Sequence, residues 1–394
     1  MPQMNRSDRV RGALLGLAVG DALGAPLEGL SAQQIRAHYQ TVTDYVDGAK
    51  AWKRKPYRWR MPGLYTDDTQ QSLALCDVLL ESGRIDPERL KDLYLGLAEP
   101  DNGYAGAHRG VGRSFRQVLA ALKRGVAPLE AGQTSAGIGA AMRIAPVGLF
   151  FLEDTDALFE AVMTSGLMTH RDMRSLAGAC AVALAVRRML IDDPRDPSFP
   201  LRLAADVAKA EDRIVLEYGH VVDLAETHRR SLSTSIAHVE SQLDVPRDRA
   251  LAAIVEQANR HGADPICRRP TMGFPPACIP TCVYLLIASE SFEEALIDAV
   301  NLGGDADTTG AILGAMAGAH FGLEAIPSRL LLGLQNREGI DLRAQALAQG
   351  STEGFDIPDL VASEQLLSAK EEHCREYLLS HPPFGGDLGA NRRP

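Results

Sequence analysis

Apolar residues recur every three to four positions along most of the chain, the spacing that gathers them on one face of an α-helix. Over residues 6–20 the set Val10, Ala13, Leu14, Leu17 and Ala18 keeps this period, and the following Asp21-Ala22-Leu23-Gly24-Ala25-Pro26 predicts a glycine-flanked turn over 21–28. Residues 66–80 read as a helix capped by Thr66 or Asp67, with an acidic first turn. Helices are also predicted over 87–98, 111–123, 156–163 and 172–190, the last with a small, Ala-rich face suited to close packing. Two or three polar amphipathic helices fall between 201 and 262, one of them over 246–260 with Pro246 at its first position. Apolar stretches at 279–287 and 292–300 precede a Gly- and Ala-rich helix over 311–320, and a last amphipathic helix at 358–379 leads into a Pro/Gly-rich tail. Residues 40–65 keep no period and interleave Lys53, Arg54, Lys55, Arg58 and Arg60 with Trp52, Tyr57 and Trp59, which predicts a surface loop. Nothing alternates like a half-buried strand and no solenoid-length repeat occurs, so an all-α protein is expected.

Composition supports that expectation. Ala, at 54 residues, far outnumbers the 21 aromatic residues, and it is the strongest helix former. Apolar residues at 45% suffice for a substantial core. A formal charge of −10 repels a phosphate backbone and argues against nucleic acid as a partner. A small anion held by backbone N–H groups remains compatible with that charge. Of the six cysteines only Cys278 and Cys282 lie close, with no second pair to complete a zinc site, so free thiols in a reducing cytoplasm are expected. Residues 6–19 mix charges into an amphipathic pattern unlike a secretion signal, and no run is read as reaching the roughly 20 apolar residues of a membrane span. His220 and His228 have no carboxylate in sequence to complete a metal pattern. A cytoplasmic protein is the expectation.

Two acidic motifs carry the chemistry. Thr66-Asp67-Asp68-Thr69 sits at a predicted helix start, where carboxylates also serve simply as caps. Asp305-Ala306-Asp307-Thr308-Thr309, between Gly303-Gly304 and Gly310, sets two carboxylates and a hydroxyl in a glycine-hinged turn, a donor set suited to a hard cation or to a turn with a helix cap. Were the motifs to meet, each like-charged pair at about 4 Å would cost about 4 kcal/mol at an effective dielectric near 20. Protons or divalent cations would have to offset this. With oxygen donors only, Mg²⁺ or Mn²⁺ is favoured over Zn²⁺.

Gly20-Asp21-Ala22-Leu23-Gly24 with Glu28 nearby, Tyr65-Thr66-Asp67-Asp68-Thr69, and Asn301-Leu302-Gly303-Gly304-Asp305-Ala306-Asp307-Thr308-Thr309 together resemble the ADP-ribosylglycohydrolases. Arg109-Gly110-Val111-Gly112, the stretch from Gly139 to Pro146, and Thr169-His170 extend the resemblance over about residues 8–325. It implies a single domain over 1–394, an orthogonal multi-helix bundle with a binuclear metal cleft, a helical elaboration at about 195–262, and a C-terminal helix and tail at about 358–394. By this resemblance Thr66, Asp67, Asp68, Asp305, Asp307 and Thr308 would hold two divalent cations, Mg²⁺ or Mn²⁺, and Glu28 would lie on a mobile loop beside them. Glu28, Asp67, Asp68 and Asp307 are the expected catalytic set. Gly110, Gly112, Ser135, Gly137 and Gly139 would bind the diphosphate and ribose, and His170 the distal part of the ligand. Ile138 stands where many members carry asparagine, which removes an amide able to bond a ribose hydroxyl.

The implied activity is hydrolysis of the ribose C1″ bond of an ADP-ribosylated protein or conjugate, with arginine as acceptor, by a monomer that touches no membrane. Serine- or acetyl-linked ADP-ribose would suit the same residues. A metal-dependent nucleotide-diphosphate phosphohydrolase and a catalytically silent ADP-ribose-binding protein are the alternatives.

Overall fold

The computed structural model describes residues 5–99 and 106–381. Among them are eighteen α-helices and no β-strand, only three isolated bridges. The first part of the chain forms α1 (Arg6–Gly24), α2 (Ala32–Tyr39), α3 (Asp67–Ser82), α4 (Pro87–Leu97), α5 (Arg113–Lys123), α6 (Gly139–Met142), α7 (Ala145–Phe150), α8 (Thr155–Leu167) and α9 (Met173–Met189). The second part forms α10 (Phe199–Tyr218), α11 (Ser231–Glu240), α12 (Arg247–Asn259), α13 (Pro275–Ala288), α14 (Phe292–Val300), α15 (Ala306–Phe321), α16 (Ser328–Gly333), α17 (Arg337–Gln349) and α18 (Leu360–Ser380).

At the centre, α1 and α15 run antiparallel with their backbones in direct apposition. A Cβ added to Gly12 would lie 2.6 Å from the Gly318 carbonyl oxygen. The matching distances are 2.3 Å from Gly16 to Gly314, 2.0 Å from Gly20 to Gly310 and 2.2 Å from Gly24 to Ala306. No side chain fits at these positions, so glycine every fourth residue on both helices permits an approach closer than the usual 8–10 Å between axes. This zipper overturns two boundaries expected from sequence. Glycines that read as breakers at 20–24 are packing contacts, and α1 continues through Asp21 to Gly24. For the same reason α15 begins at Ala306 rather than near 311, which puts Asp307 and Thr308 in its first turn.

The segment Arg6–Leu27 is in fact long and apolar enough to cross a membrane, contrary to the sequence reading, but 94% of its apolar window is buried inside the fold. Its hydrophobicity is spent on α15, α17 and the surrounding core.

Three helices occupy the 195–262 stretch, and α10 buries Phe199, Leu203, Val207, Ala210 and Ile214, spaced three to four apart, against α9 and α11. One buried cluster runs from Val10 to Leu367 and takes in all three. The 40–65 segment is less superficial than expected. Trp59 is fully buried with its indole N–H donating to the Trp52 carbonyl at 3.0 Å, and the Trp52 indole donates to the Pro26 carbonyl at 3.0 Å. All six cysteines are free, five of them buried and Cys374 partly exposed.

Candidate active site

The N-terminus of α3 has four donors to satisfy, and its N-cap residue, Thr66, makes no side-chain capping bond. Asp21, reaching across from the last turn of α1, does that work. Its carboxylate accepts from the Thr66 N–H at 2.9 Å, the Thr66 hydroxyl at 2.8 Å, the Thr69 N–H at 3.0 Å and the Thr69 hydroxyl at 2.6 Å. Being seated on the glycine zipper, Asp21 holds the start of α3 beside the start of α15.

The two acidic motifs therefore share one buried volume. Asp67, Asp68, Asp307, Thr66 and Thr308 are all buried. Asp67 is fixed by its N–H donating to the Arg109 carbonyl at 2.7 Å and by the Gln71 amide donating to Oδ2 at 2.9 Å. Asp305 donates its N–H to the Thr271 carbonyl at 2.9 Å, while its own carbonyl accepts from the Thr309 N–H and hydroxyl. Electrostatics register the convergence. Burial, then the charges of Asp21, Glu28 and Asp305, pushes the Asp67 carboxyl up to about 8. Burial, then Glu28, pushes Asp305 up to about 6. Asp68 and Asp307 rise well above the ordinary carboxylate range, again from burial first and then from neighbours drawn from both motifs, while the Thr308 hydroxyl eases both Asp68 and Asp305.

Such a cluster must hold protons or cations at neutral pH. Asp68 Oδ1 and Asp307 Oδ1 are buried with no hydrogen-bond partner. Two unpaired anionic oxygens from distant parts of the chain in one all-oxygen site fit divalent cations of the Mg²⁺ or Mn²⁺ kind.

Glu28 lies just beyond the end of α1, on a segment tied to the second motif. The Gly29 N–H donates to the Gly304 carbonyl at 2.7 Å and the Gly304 N–H to the Leu30 carbonyl at 2.8 Å. Its charge is felt by Asp67, Asp305 and Asp307. A cavity of about 780 Å³ opens beside Asp305, with Asp264, Ile266, Arg268, Arg269, Met272 and Gly273 in its wall.

The remaining expected site residues lie on two neighbouring segments. Gly110 has φ +82°, and a Cβ there would come within 3.2 Å of Asp67 Oδ1 and of Thr66 Cβ, so both conformation and proximity call for glycine. Gly112 precedes α5 and faces open space. The Ser114 and Ser135 hydroxyls are 3.2 Å apart, which joins the two segments. Ser175 donates to the carbonyls of Ser135 and Gly137, both at 2.7 Å. Gly137 and Gly139 border the His170 ring, where a Cβ on Gly139 would meet Cε1 at 2.9 Å. Burial, then Arg143, pushes His170 down to about 3, so its ring is neutral at physiological pH. Ile138 is buried beside Gly273 rather than presented as a polar contact.

Asp21, Arg109 and Arg143 fall within the sequence motifs, which assign them no role. Arg143, fully buried, donates to Gln71 Oε1 at 2.9 Å, the Gly139 carbonyl at 2.8 Å and the Thr169 hydroxyl at 2.7 Å, and so braces Asp67, the 137–139 turn and His170 together. Arg109 lies over the Tyr65 ring and pairs with the buried Glu364 of α18, which also accepts from Tyr65 and Gln70. For Asp21 the signal available is a charged residue inside an apolar helical run.

Among the described residues, one set of potential His and carboxylate metal donors lies outside this cluster. Asp172, Asp223 and His228 place ligand atoms within 4.8 Å of one another, although the spacing around His228 in the sequence matches no recognised metal pattern. Both Asp172 oxygens are engaged by Arg174, at 2.9 Å and 2.6 Å, so a guanidinium already supplies the positive charge there. His220 is exposed.

Comparison with known proteins places the chain in a family. The family model for ADP-ribosylglycohydrolase matches residues 2–356. The chain is 30% identical to the ADP-ribosyl-[dinitrogen reductase] glycohydrolase of Rhodospirillum rubrum, over 89% of this chain and 98% of that one. It is 25% identical to the ADP-ribosylarginine hydrolase Tri1 of Serratia proteamaculans, over 88% and 81%. A solved structure described as an ADP-ribosylglycohydrolase-related protein complex superposes with a TM-score of 0.61 at 30% identity, covering 88% of this chain and 99% of its own.

Proposed function

Because the chain belongs to the ADP-ribosylglycohydrolase family and is thus an ADP-ribosyl hydrolase, we propose that its reaction is hydrolysis of the bond between ribose C1″ and a guanidino nitrogen of ADP-ribosylated arginine in a protein substrate. The observation that carries this reading is the pair of unpartnered oxygens, Asp68 Oδ1 and Asp307 Oδ1, facing a shared all-oxygen cluster. The acceptor follows the arginine-directed Tri1 relative.

Thr66, Asp67, Asp68, Asp305, Asp307 and Thr308 would hold two divalent cations, Mg²⁺ or Mn²⁺. When bound, these supply the positive charge that keeps the carboxylates ionised and polarise the ribose 2″ and 3″ hydroxyls and a water. The acidic cluster stabilises the positive charge that builds at C1″ in an oxocarbenium-like transition state. Asp67, with Oδ2 held by Gln71 and Oδ1 beside Gly110, orients the ribose. Glu28, partly exposed at the edge of the cluster, accepts the proton of the attacking water through a carboxylate oxygen. Backbone N–H groups around Gly110 and Gly112 receive the diphosphate, which reconciles an anionic ligand with a chain charge of −10. Neutral His170 offers the distal part of the ligand a hydrogen bond without a charge.

The test is a panel of arginine-, serine- and acetyl-linked ADP-ribose substrates, each assayed with Mg²⁺ and with Mn²⁺. The expected result is intact ADP-ribose released fastest from the arginine conjugate, and no turnover in EDTA. Formation of AMP, or undiminished rates in EDTA, would overturn the proposal.

A further inference from the structure

Glu28 has two partners within reach and one carboxylate to give. Its backbone is pinned beside Asp305 by the paired hydrogen bonds between Gly29, Leu30 and Gly304. Its charge acts on Asp67, Asp305 and Asp307. Yet its Oε2 accepts from an Arg58 guanidinium nitrogen at 2.8 Å, with both side chains about 30% exposed. Arg58 is not placed there by chance contact of a free surface side chain. It stacks over the Trp52 ring at 5.4 Å, and that ring is anchored by its indole N–H to the Pro26 carbonyl, two residues before Glu28. The 3₁₀ turn Pro56–Arg58 and buried Trp59 fix the segment from the other side. The basic, aromatic stretch of the sequence is thus folded into a support that offers one guanidinium to one carboxylate.

We propose that Arg58 is a positioning residue that competes with the divalent cations for Glu28, holding the carboxylate at the rim until the cations draw it inward. This rests on the reading of the acidic cluster as a metal centre. With Arg58 paired, Glu28 is withheld from an already crowded set of like charges. With cations present, the same side chain gains a stronger attraction toward the cluster, and little backbone change is needed because Gly29 and Leu30 stay attached to Gly304. Arg58 therefore sets the threshold at which Glu28 joins the site.

The experiment is calorimetric titration of the full-length chain with Mn²⁺ alone, for the parent, Arg58→Ala, Arg58→Lys, Glu28→Gln and the Arg58→Ala/Glu28→Gln double variant. Loss of a nearby positive charge would tighten Mn²⁺ binding in any background, so the informative quantity is the coupling between the two substitutions. The expected result is Mn²⁺ binding about five-fold tighter in Arg58→Ala, the change that corresponds to about 1 kcal/mol for a partly exposed pair. In the Glu28→Gln background the same substitution should change affinity by less than about two-fold, and Arg58→Lys should remain near the parent value. An equal shift in both backgrounds, or none in either, overturns the proposal while leaving the metal centre standing. Failure of the parent chain to bind Mn²⁺ overturns the metal reading and this inference with it.

Discussion

Asp68 and Asp307 show what a functional carboxylate costs when it stands unneutralised. Each is buried with an unpaired oxygen among like charges, an arrangement that opposes folding and that only protons or cations relieve. Asp68→Asn should therefore raise the thermal midpoint of the metal-free protein by a few degrees while lowering ADP-ribose release at least about 100-fold, as read by calorimetry and product analysis. Glu211, outside the site, gives a control of the same physics. Burial pushes it up to about 7, although the Leu232 N–H donates to it at 2.9 Å and Ser233 also bonds to it. Its folded value lies above the unfolded one, so the folded state binds the extra proton and its stabilisation is complete only below the usual carboxylate range. That stabilisation is lost as pH rises from about 4.5 through about 7, amounting to about 3 kcal/mol. Glu211→Gln, which can still accept from Leu232, should flatten this decline in denaturation curves taken between pH 5 and 8. The metal-site candidates were legible in the sequence because Asp67, Asp68, Asp305 and Asp307 sit in short motifs. Asp21 has no role assigned from sequence, because its two partners, Thr66 and Thr69, lie more than forty positions away and no local pattern announces a remote cap.

Helix boundaries failed where tertiary packing overrode local propensity. Glycine at 20 and 24, and at 310, lowers helix propensity, and so the sequence predicts an early end for α1 and a late start for α15. In the fold these glycines are where two backbones touch. Gly20→Ala forces a Cβ to within 2.0 Å of the Gly310 carbonyl oxygen, next to Asp21. The helices must part, and the expected outcome is a loss of about 1–3 kcal/mol in chemical denaturation, despite alanine being the better helix former. Unchanged or increased stability would show that the zipper is not tight. Other elements, such as α4 and α9, are legible in the sequence to within a few residues because their apolar faces and caps agree, Asp86 and Asp172 each accepting a hydrogen bond from the first turn. The short helices α6, α7 and α16 carry too few turns for a period to register. Helix α18, beyond the stretch matched by the family model, matters through Glu364, which grips Arg109 one residue before Gly110.

For the molecule as a whole, cluster carboxylates with raised folded values stabilise the metal-free protein at low pH, and that contribution is lost as pH climbs through about 6 for Asp305 and about 8 for Asp67. Mn²⁺ should restore it, so the rise in thermal midpoint on adding Mn²⁺ is expected to be larger at pH 8 than at pH 6. An equal rise at both values would separate cation binding from these carboxylates. The all-α class was legible from period and alanine content, whereas the meeting of α1 with α15 was not, since no local pattern pairs the first helix with the fifteenth. That pairing also has a bearing on biosynthesis. At about 5–20 residues per second, a ribosome needs roughly 15–60 s to go from α1 to α15. Throughout that interval a helix long and apolar enough to cross a membrane waits for its mate, a natural client for holdase chaperones, and no nascent chain can be catalytically competent before residues 305–308 have emerged.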